Sequence, residues 1–166
     1  YASTEVEAFC VDYYEYPNSK SRKPTTGVSW SQAKSACARK GKRLCTEVEW
    51  ERACKGTNGR RRFPYGTSFK DGIRNTEDAE GVAGSVASAR EFPRCRSGFT
   101  IINMAGNAEE WTSDSFKPGS RSMTLKGGAA NRPDFASRCA ARRGASKSTT
   151  RSTLGFRCCA ALPGFE

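Results

Sequence analysis

Apolar residues recur at helical spacing just after position 29, where the chain also carries a helix-start signal. Ser29 and Gln32 fit a capping box, in which the serine hydroxyl and the glutamine side chain each bond a free backbone N–H. Trp30, Ala33 and Cys37 then fall on one helical face. The pattern predicts a short helix that begins at Trp30 and buries Cys37.

A second helix-start signal follows within the next twenty residues. Thr46 and Glu49 form another capping box, and Trp50 and Cys54 lie one turn apart behind it. Gly56 stands where a glycine commonly ends a helix. This pattern predicts a second short helix, which also carries a buried cysteine.

Three further segments have the composition of β-strands. Residues 8–16 mix aromatic and β-branched side chains, residues 123–126 run into a glycine pair, and residues 154–162 are mostly apolar. Residues 56–100 show no period, and a long segment of this kind is typically functional or held by ions and disulfides. The chain is therefore expected to be rich in loops.

Length and hydropathy predict one domain with a modest core. The chain has 166 residues, of which 36% are hydrophobic, and its mean hydropathy is -0.70. We expect residues 1–166 to form a single domain, because neither repeats nor a proline-rich linker divides them. No run of about 20 apolar residues is present, so no membrane span is predicted.

The cysteines predict a disulfide-stapled protein. There are eight of them, without a Cys-x-x-Cys pair and without any histidine, so zinc sites of the Cys/His kind and thioredoxin-type motifs are excluded. Four disulfides are expected. Disulfides persist in oxidising compartments, which favours an extracytoplasmic location: periplasmic, cell-surface or secreted.

The net charge of +11 indicates anionic partners or merely a soluble surface. Acidic glycans, lipid head groups and nucleic acid would all be attracted, but no recognised motif supports nucleic acid. The basic residues concentrate in four ranges: 20–23, 40–43, 60–62 and 138–151.

One polar stretch, residues 103–114, has the donor set of a hard-cation site. Asn103, Asn107, Glu109 and Glu110 surround a glycine that permits a tight turn, and a tryptophan suited to burial follows. Oxygen ligands of this kind suit Ca²⁺. The alternative is an Asx-type turn in which Glu110 pairs with one of the many arginines.

Five motifs in order resemble the formylglycine-generating enzyme family, also called sulfatase-modifying factor domains. The resemblance implies an α+β, loop-rich, disulfide-stapled, C-type-lectin-like fold with two short helices and little regular sheet. It extends from Gly27 to Cys158 and is carried by GVSWSQAKSACARKGKRLCTEVEWERACKG, INMAGNAEEWTSD, LKGGA, RCAAR and LGFRC.

The resemblance also implies disulfide pairs. In the family, two helix cysteines pair with two late cysteines, and this chain has a matching residue for each of the four. The first and last strands of the family's fold are neighbours, which implies a third pair between the cysteines of those strands. The two remaining cysteines are then expected to form a fourth pair. The four expected pairs are Cys37–Cys158, Cys54–Cys139, Cys10–Cys159 and Cys45–Cys95.

Structural calcium is a further implication of the resemblance. Family members hold one calcium ion in the segment that matches INMAGNAEEWTSD, before its tryptophan, and a second in the preceding loop. The matching positions are Asn103, Gly106, Ala108 and Glu110 for the first ion, and Asn75, Thr76, Asp78 and Glu80 for the second.

The family's catalytic chemistry is not expected here. Its enzyme oxidises a substrate cysteine with copper held by two cysteines after a Gly-Gly pair, and copper(I) needs soft thiolates. No cysteine lies between Gly128 and Cys139. Ala129 also stands where the family usually has a serine, and Glu109 where it has a tryptophan. We therefore predict no copper and no catalytic residues.

The resemblance then favours a non-catalytic ligand-binding module, as occurs in bacterial sensing and retroelement proteins. The ligand would be an anionic glycan, a cell-envelope component or a protein. Two alternatives are a divergent oxidoreductase, which would need free thiols whereas the binding module predicts none, and a purely structural domain of a larger signalling protein. The expected ligand surface, unless these are merely exposed loops, comprises residues 129–135 and 142–153. It includes Ala129, Asn131, Arg132, Asp134, Arg142 and Arg143.

Overall fold

The computed structural model describes residues 6–78 and 80–162 of the chain. The single domain predicted for residues 1–166 therefore includes ends that lie outside the described residues. The elements, in chain order, are β1 (Phe9–Val11), α1 (Trp30–Ala38), β2 (Arg43–Leu44), α2 (Glu47–Lys55), β3 (Glu109–Ser115), β4 (Ser122–Lys126), a 3-10 helix (Asp134–Ser137), β5 (Arg143–Ser146), β6 (Leu154–Phe156) and β7 (Cys158–Ala161).

Both predicted helices are confirmed, and both begin with the predicted capping box. In α1, the Gln32 backbone N–H donates to Ser29 Oγ, and the Ser29 N–H donates to Gln32 Oε1 at 2.8 Å. In α2, Thr46 and Glu49 make the same reciprocal bonds. Because these bonds satisfy free N–H groups, each nine-residue helix has a fixed start.

Two small sheets contain the strands. The first has the order β1-β7-β2 and is antiparallel, and the second has the order β5-β4-β3-β6, with β3 and β6 parallel. The apolar run 154–162 is not one strand, because Arg157 separates β6 from β7 and the chain crosses there between the sheets. This α+β arrangement with little regular sheet is the expected fold class.

The core has two parts. Trp111 of β3 and Leu125 of β4 pack with α1, and Trp50 of α2 packs with Ile101 and Met104 in the second part. Within the described residues, neither helix is long and apolar enough to cross a membrane.

Three disulfides join the helices and β2 to the late part of the chain. Cys37–Cys158 and Cys54–Cys139 are the two pairs that match the family's cysteines. The third is Cys45–Cys159. The adjacent residues Cys158 and Cys159 thus bond different partners, as expected for side chains on opposite faces of a strand.

The expected pairs Cys10–Cys159 and Cys45–Cys95 are wrong. β1 does lie beside β7, but Val11 is opposite Cys159, so the neighbouring Cys10 projects to the other face. β2 lies on the far side of β7 and brings Cys45 within 4.8 Å of Cys159, measured between Cα atoms. Cys10 is left as an exposed thiol and Cys95 as a buried one.

Candidate functional site

The turn before β3 directs polar side chains into the protein. Asn103, Gly106 and Asn107 have φ angles of 57°, 72° and 64°, a left-handed conformation that asparagine and glycine tolerate. A Cβ on Gly106 would lie 2.2 Å from the carbonyl oxygen of Asn75, so the preceding loop presses directly on this turn. Asn103 and Asn107 are consequently buried.

Glu110 forms a fully buried ion pair with Arg157. Its Oε1 accepts from Arg157 Nη2 at 2.7 Å, and its Oε2 accepts from Arg157 Nε and Trp50 Nε1, each at 2.7 Å. Arg157 also donates to the backbone carbonyls of Asp12 and Ile102. The arginine partner left open for Glu110 by the sequence is therefore present, and it joins β3 to the segment between β6 and β7.

A second buried carboxylate, Glu15, lies beside this pair. It accepts from Asn103 Nδ2 at 3.2 Å and from Asn107 Nδ2 at 2.8 Å. Burial raises the pKa of Glu15 to about 7, the charge of Arg157 opposes the rise, and the charge of Glu110 adds to it. Sequence reasoning missed Glu15, whose only signal was a carboxylate inside an aromatic segment.

The residues expected at the first calcium site fit such an ion. Asn103 Oδ1 is buried and has no hydrogen-bond partner within the described part of the chain. Of the three hydrogen bonds to the Glu110 carboxylate, only one goes to Oε1, so this oxygen can accept a further ligand. Calcium binds flexible sets of oxygen atoms, which such an oxygen can join. The residues that could hold an ion here are Asn103, Gly106, Ala108 and Glu110.

The residues expected at a second ion make separate contacts. Asn75 is buried, and its Nδ2 donates to the Ser85 carbonyl and to Asn107 Oδ1. Asp78 is exposed, and its Oδ1 accepts from two backbone N–H groups just after it. Thr76 is half-buried against Gly106. Among the described residues, no group of three or more His, Cys, Asp or Glu side chains could hold a metal ion.

A cavity of about 310 Å³ lies above the Gly127–Gly128 pair that follows β4. A Cβ on Gly128 would lie 2.9 Å from the backbone of Ala136, so the 3-10 helix packs directly on this glycine and closes one wall. The lining residues are Glu109, Leu125, Gly127, Gly128, Arg132, Pro133, Phe135, Ala136, Ala141, Arg142 and Arg143.

Three of the six expected ligand-surface residues line this cavity: Arg132, Arg142 and Arg143. Of the others, Ala129 is buried and Asn131 is exposed outside the lining. Asp134 instead lines a neighbouring acidic cavity of about 430 Å³. The structure thus places the expected surface residues in four different environments.

The charged side chains at the cavity differ in their ion-pair partners. Glu109 is bound by Arg143, whose Nε lies 3.0 Å from Oε1, and by Arg151, whose Nη1 lies 3.4 Å from Oε2. Arg142 instead donates to both carboxylate oxygens of Glu47 at 2.7 and 2.8 Å. Arg151 lies within the predicted surface range 142–153, but its contact with Glu109 is not predicted, because only folding brings the two residues together.

The cavity has neither thiols nor paired carboxylates. All eight cysteines are in the described part of the chain, and none of them lines it. Asp114, the carboxylate that follows Glu110 along β3, accepts from the backbone N–H of Glu47 and so caps α2. This arrangement can bind charged groups but offers no nucleophile with an adjacent base.

Comparisons with known proteins connect this site to a family. The family model described as "Sulfatase-modifying factor enzyme 1-like domain" matches residues 5–162. Formylglycine-generating enzyme of Mus musculus is 33% identical over 171 residues, which cover 85% of this chain and 45% of the mouse protein. Inactive C-alpha-formylglycine-generating enzyme 2 of Bos taurus is 29% identical, covering 81% of this chain and 49% of the bovine protein.

A solved structure shows the same fold. Treponema denticola variable protein 1 superposes with a TM-score of 0.74 at 15% identity, covering 93% of this chain and 84% of that chain. The C-type-lectin-like fold is therefore shared, whereas the chain spans less than half the length of the mouse and bovine proteins.

Proposed function

Because the chain belongs to the sulfatase-modifying factor enzyme 1-like domain family, we propose that it is a non-catalytic, extracytoplasmic module that binds a ligand in the cavity above Gly127 and Gly128. The observation that carries this proposal is the cavity wall, where Glu109 is held by Arg143 and Arg151. Carboxylate and guanidinium groups can bind and orient a ligand, but they do not oxidise it.

Copper oxidation requires two thiolates that share one site. Cys10 and Cys95 are the two unpaired cysteines, but Cys10 is exposed on β1, whereas Cys95 is buried and donates to the Ala105 carbonyl. Neither lines the cavity. A related protein of 29% identity carries the word inactive in its name, which supports the same reading of this chain.

Calcium is proposed as a structural ion near the start of β3. Asn103, Gly106, Ala108 and Glu110 would hold it, and the buried, unpartnered Asn103 Oδ1 supports this choice within the described residues. A bound ion would supply positive charge that cross-links loop oxygens. The three disulfides support an oxidising, extracytoplasmic compartment.

Ligand binding is tested by screening the protein against an array of neutral, sialylated, sulfated and phosphorylated glycans. Ala136→Trp is the blocking variant, because Ala136 lines the cavity and an indole would fill much of it. We expect wild type to bind at least one acidic glycan and Ala136→Trp to lose that binding at unchanged thermal stability. Binding that survives in the blocked variant would show that the cavity is not the ligand site.

A purely structural module is the other outcome. Such a protein would bind no glycan in either form, yet it would still gain thermal stability from calcium. That result would reject the ligand-binding proposal while keeping the calcium proposal.

A further inference from the structure

Two guanidinium groups converge on one carboxylate oxygen at the cavity. Glu109 Oε2 is contacted both by Arg143 Nη2 and by Arg151 Nη1. Glu109 is buried, whereas the side chains of Arg143 and Arg151 are 36% and 32% exposed. The carboxylate therefore holds two partly exposed guanidinium groups side by side, with N–H groups left over for another acceptor.

Arg132 adds a third positive charge to the same cavity. It lines the cavity and forms neither an ion pair nor a side-chain hydrogen bond with any described residue. Burial lowers the pKa of Arg151 first, the charges of Arg143 and Arg132 lower it further, and the charge of Glu109 opposes them. Arg132 and Arg143 line the cavity together with Glu109, and Arg151 reaches it through its contact with Glu109, so the group holds three positive charges and one negative charge.

Arg142 does not belong to this group although it lines the same cavity. Its guanidinium is bound by Glu47 and donates to the Phe116 carbonyl at 3.0 Å. It also stacks on the Phe116 ring, 4.8 Å from the centroid. Because both carboxylate oxygens of Glu47 and the Phe116 carbonyl already accept from Arg142, it provides a matched control for the three arginines.

We propose that Arg132, Arg143 and Arg151 bind the phosphate monoester of a sugar; this rests on the proposed ligand-binding function. A phosphate monoester carries close to two negative charges at neutral pH, which matches the excess of two positive charges. Guanidinium groups bind phosphate oxygens through paired N–H donors. Phe135, 58% exposed on the cavity wall, offers an apolar surface for the sugar ring.

The test is calorimetric titration of the intact chain with glucose 6-phosphate, glucose 6-sulfate, glucuronate, glucose and inorganic phosphate. We expect glucose 6-phosphate to bind most tightly, inorganic phosphate more weakly, and glucose not at all. Arg132→Gln and Arg151→Gln should each weaken binding about tenfold or more, the usual loss of a charge-assisted hydrogen bond. Arg142→Gln should weaken it less than about threefold, because the Arg142 charge is already neutralised by Glu47.

Arg132→Gln keeps the test decisive, because the Arg132 side chain makes no hydrogen bond or ion pair with a described residue whose loss could unfold the protein. Equal weakening by Arg142→Gln and Arg132→Gln would overturn the proposal in favour of a general field effect. Tighter binding of glucuronate or glucose 6-sulfate than of glucose 6-phosphate would overturn the phosphate assignment. An uncharged glycan that binds wild type, is blocked by Ala136→Trp and ignores the arginine variants would reject the anion site but not the ligand-binding function.

Discussion

At the residue scale, Glu110 has a structural role that does not depend on calcium. Its ion pair with Arg157 is fully buried, so Glu110→Gln leaves a guanidinium without its counter-charge in the core. Breaking such a pair typically costs about 3–5 kcal/mol. We expect urea unfolding in chelator to show a loss of that size. A variant as stable as wild type in chelator would refute the buried pair.

The proposed calcium ligand Asn103 is tested more cleanly by Asn103→Gly. Glycine accepts the φ angle of 57° at this position, so only the amide and its hydrogen bond to Glu15 are lost. We expect calcium to raise the melting temperature of wild type but not of Asn103→Gly, since an ion stabilises only the state that binds it.

Asn18→Gly is the matched control for that experiment. Asn18 also has a left-handed φ, 61°, and its side chain also makes hydrogen bonds, but none of them reaches the proposed ion site. The control should keep the full calcium increment. An increment that persists in Asn103→Gly would remove Asn103 from the ligand set.

Glu15 predicts an unusual pH dependence of stability. Its pKa is raised from 4.5 to about 7, so between these values the folded state binds the proton that the unfolded state has released. The free energy of unfolding should therefore fall as pH rises through this window, by on the order of 3 kcal/mol in chelator. Denaturant unfolding at several pH values measures it. Glu15→Gln should flatten the profile, and an unchanged slope in that variant would contradict the assignment to Glu15.

At the scale of elements, the two helices could be predicted because their signals are local. Ser29 and Thr46 each meet a partner three residues away, so sequence spacing alone brings the groups together. The sequence predicts no strand at β3, where the oxygen donors of residues 103–114 indicate a cation site instead. This segment becomes a strand through pairing with β4 and β6, which no short window contains.

The residues of the candidate site also divide into those that the local sequence predicts and those whose contacts form only on folding. Arg132, Arg142 and Arg143 could be found from the motif segments that surround the cavity. The contacts of Arg151 and Glu15 could not be predicted, since they are made with Glu109 and Asn103, which lie 42 and 88 positions away. The calcium positions are predicted by the family resemblance, whereas an arginine partner for Glu110 is predicted by the many arginines in the sequence.

The cap of α1 gives an element-scale prediction. Ser29→Ala removes the acceptor for the Gln32 N–H and should lower the free energy of unfolding by about 1 kcal/mol. Ser31→Ala, at an exposed position in the same turn, should leave stability nearly unchanged. Chemical denaturation of both variants measures the difference, and equal effects would show that the capping bond contributes little.

At the scale of the whole molecule, the disulfides tie the first third of the chain to its end. Cys37 and Cys45, from α1 and the end of β2, bond the adjacent Cys158 and Cys159 of β7 across 121 and 114 positions. These links close long loops and so restrict the unfolded chain strongly. Such cross-links compensate for a small apolar core.

The same framework predicts how the thiols react. Cys10 is exposed, whereas Cys95 is fully buried and burial raises the pKa of its thiol to about 12, so only Cys10 should react in the native protein. A colorimetric thiol assay should therefore find one thiol under native conditions and two in guanidinium chloride. Cys10→Ser should abolish the native signal, whereas Cys95→Ser should leave it unchanged.

That thiol count also separates the binding module from an oxidase. Two unpaired cysteines satisfy the composition of a copper site but not its geometry, because a shared ion would require both sulfurs to be accessible together. We therefore expect no copper-dependent oxygen consumption by the protein with either thiol-containing or sugar phosphate substrates. Oxygen uptake that is lost in both Cys10→Ser and Cys95→Ser would demand a rearrangement that joins β1 to the buried segment around Cys95, and it would make the protein an enzyme.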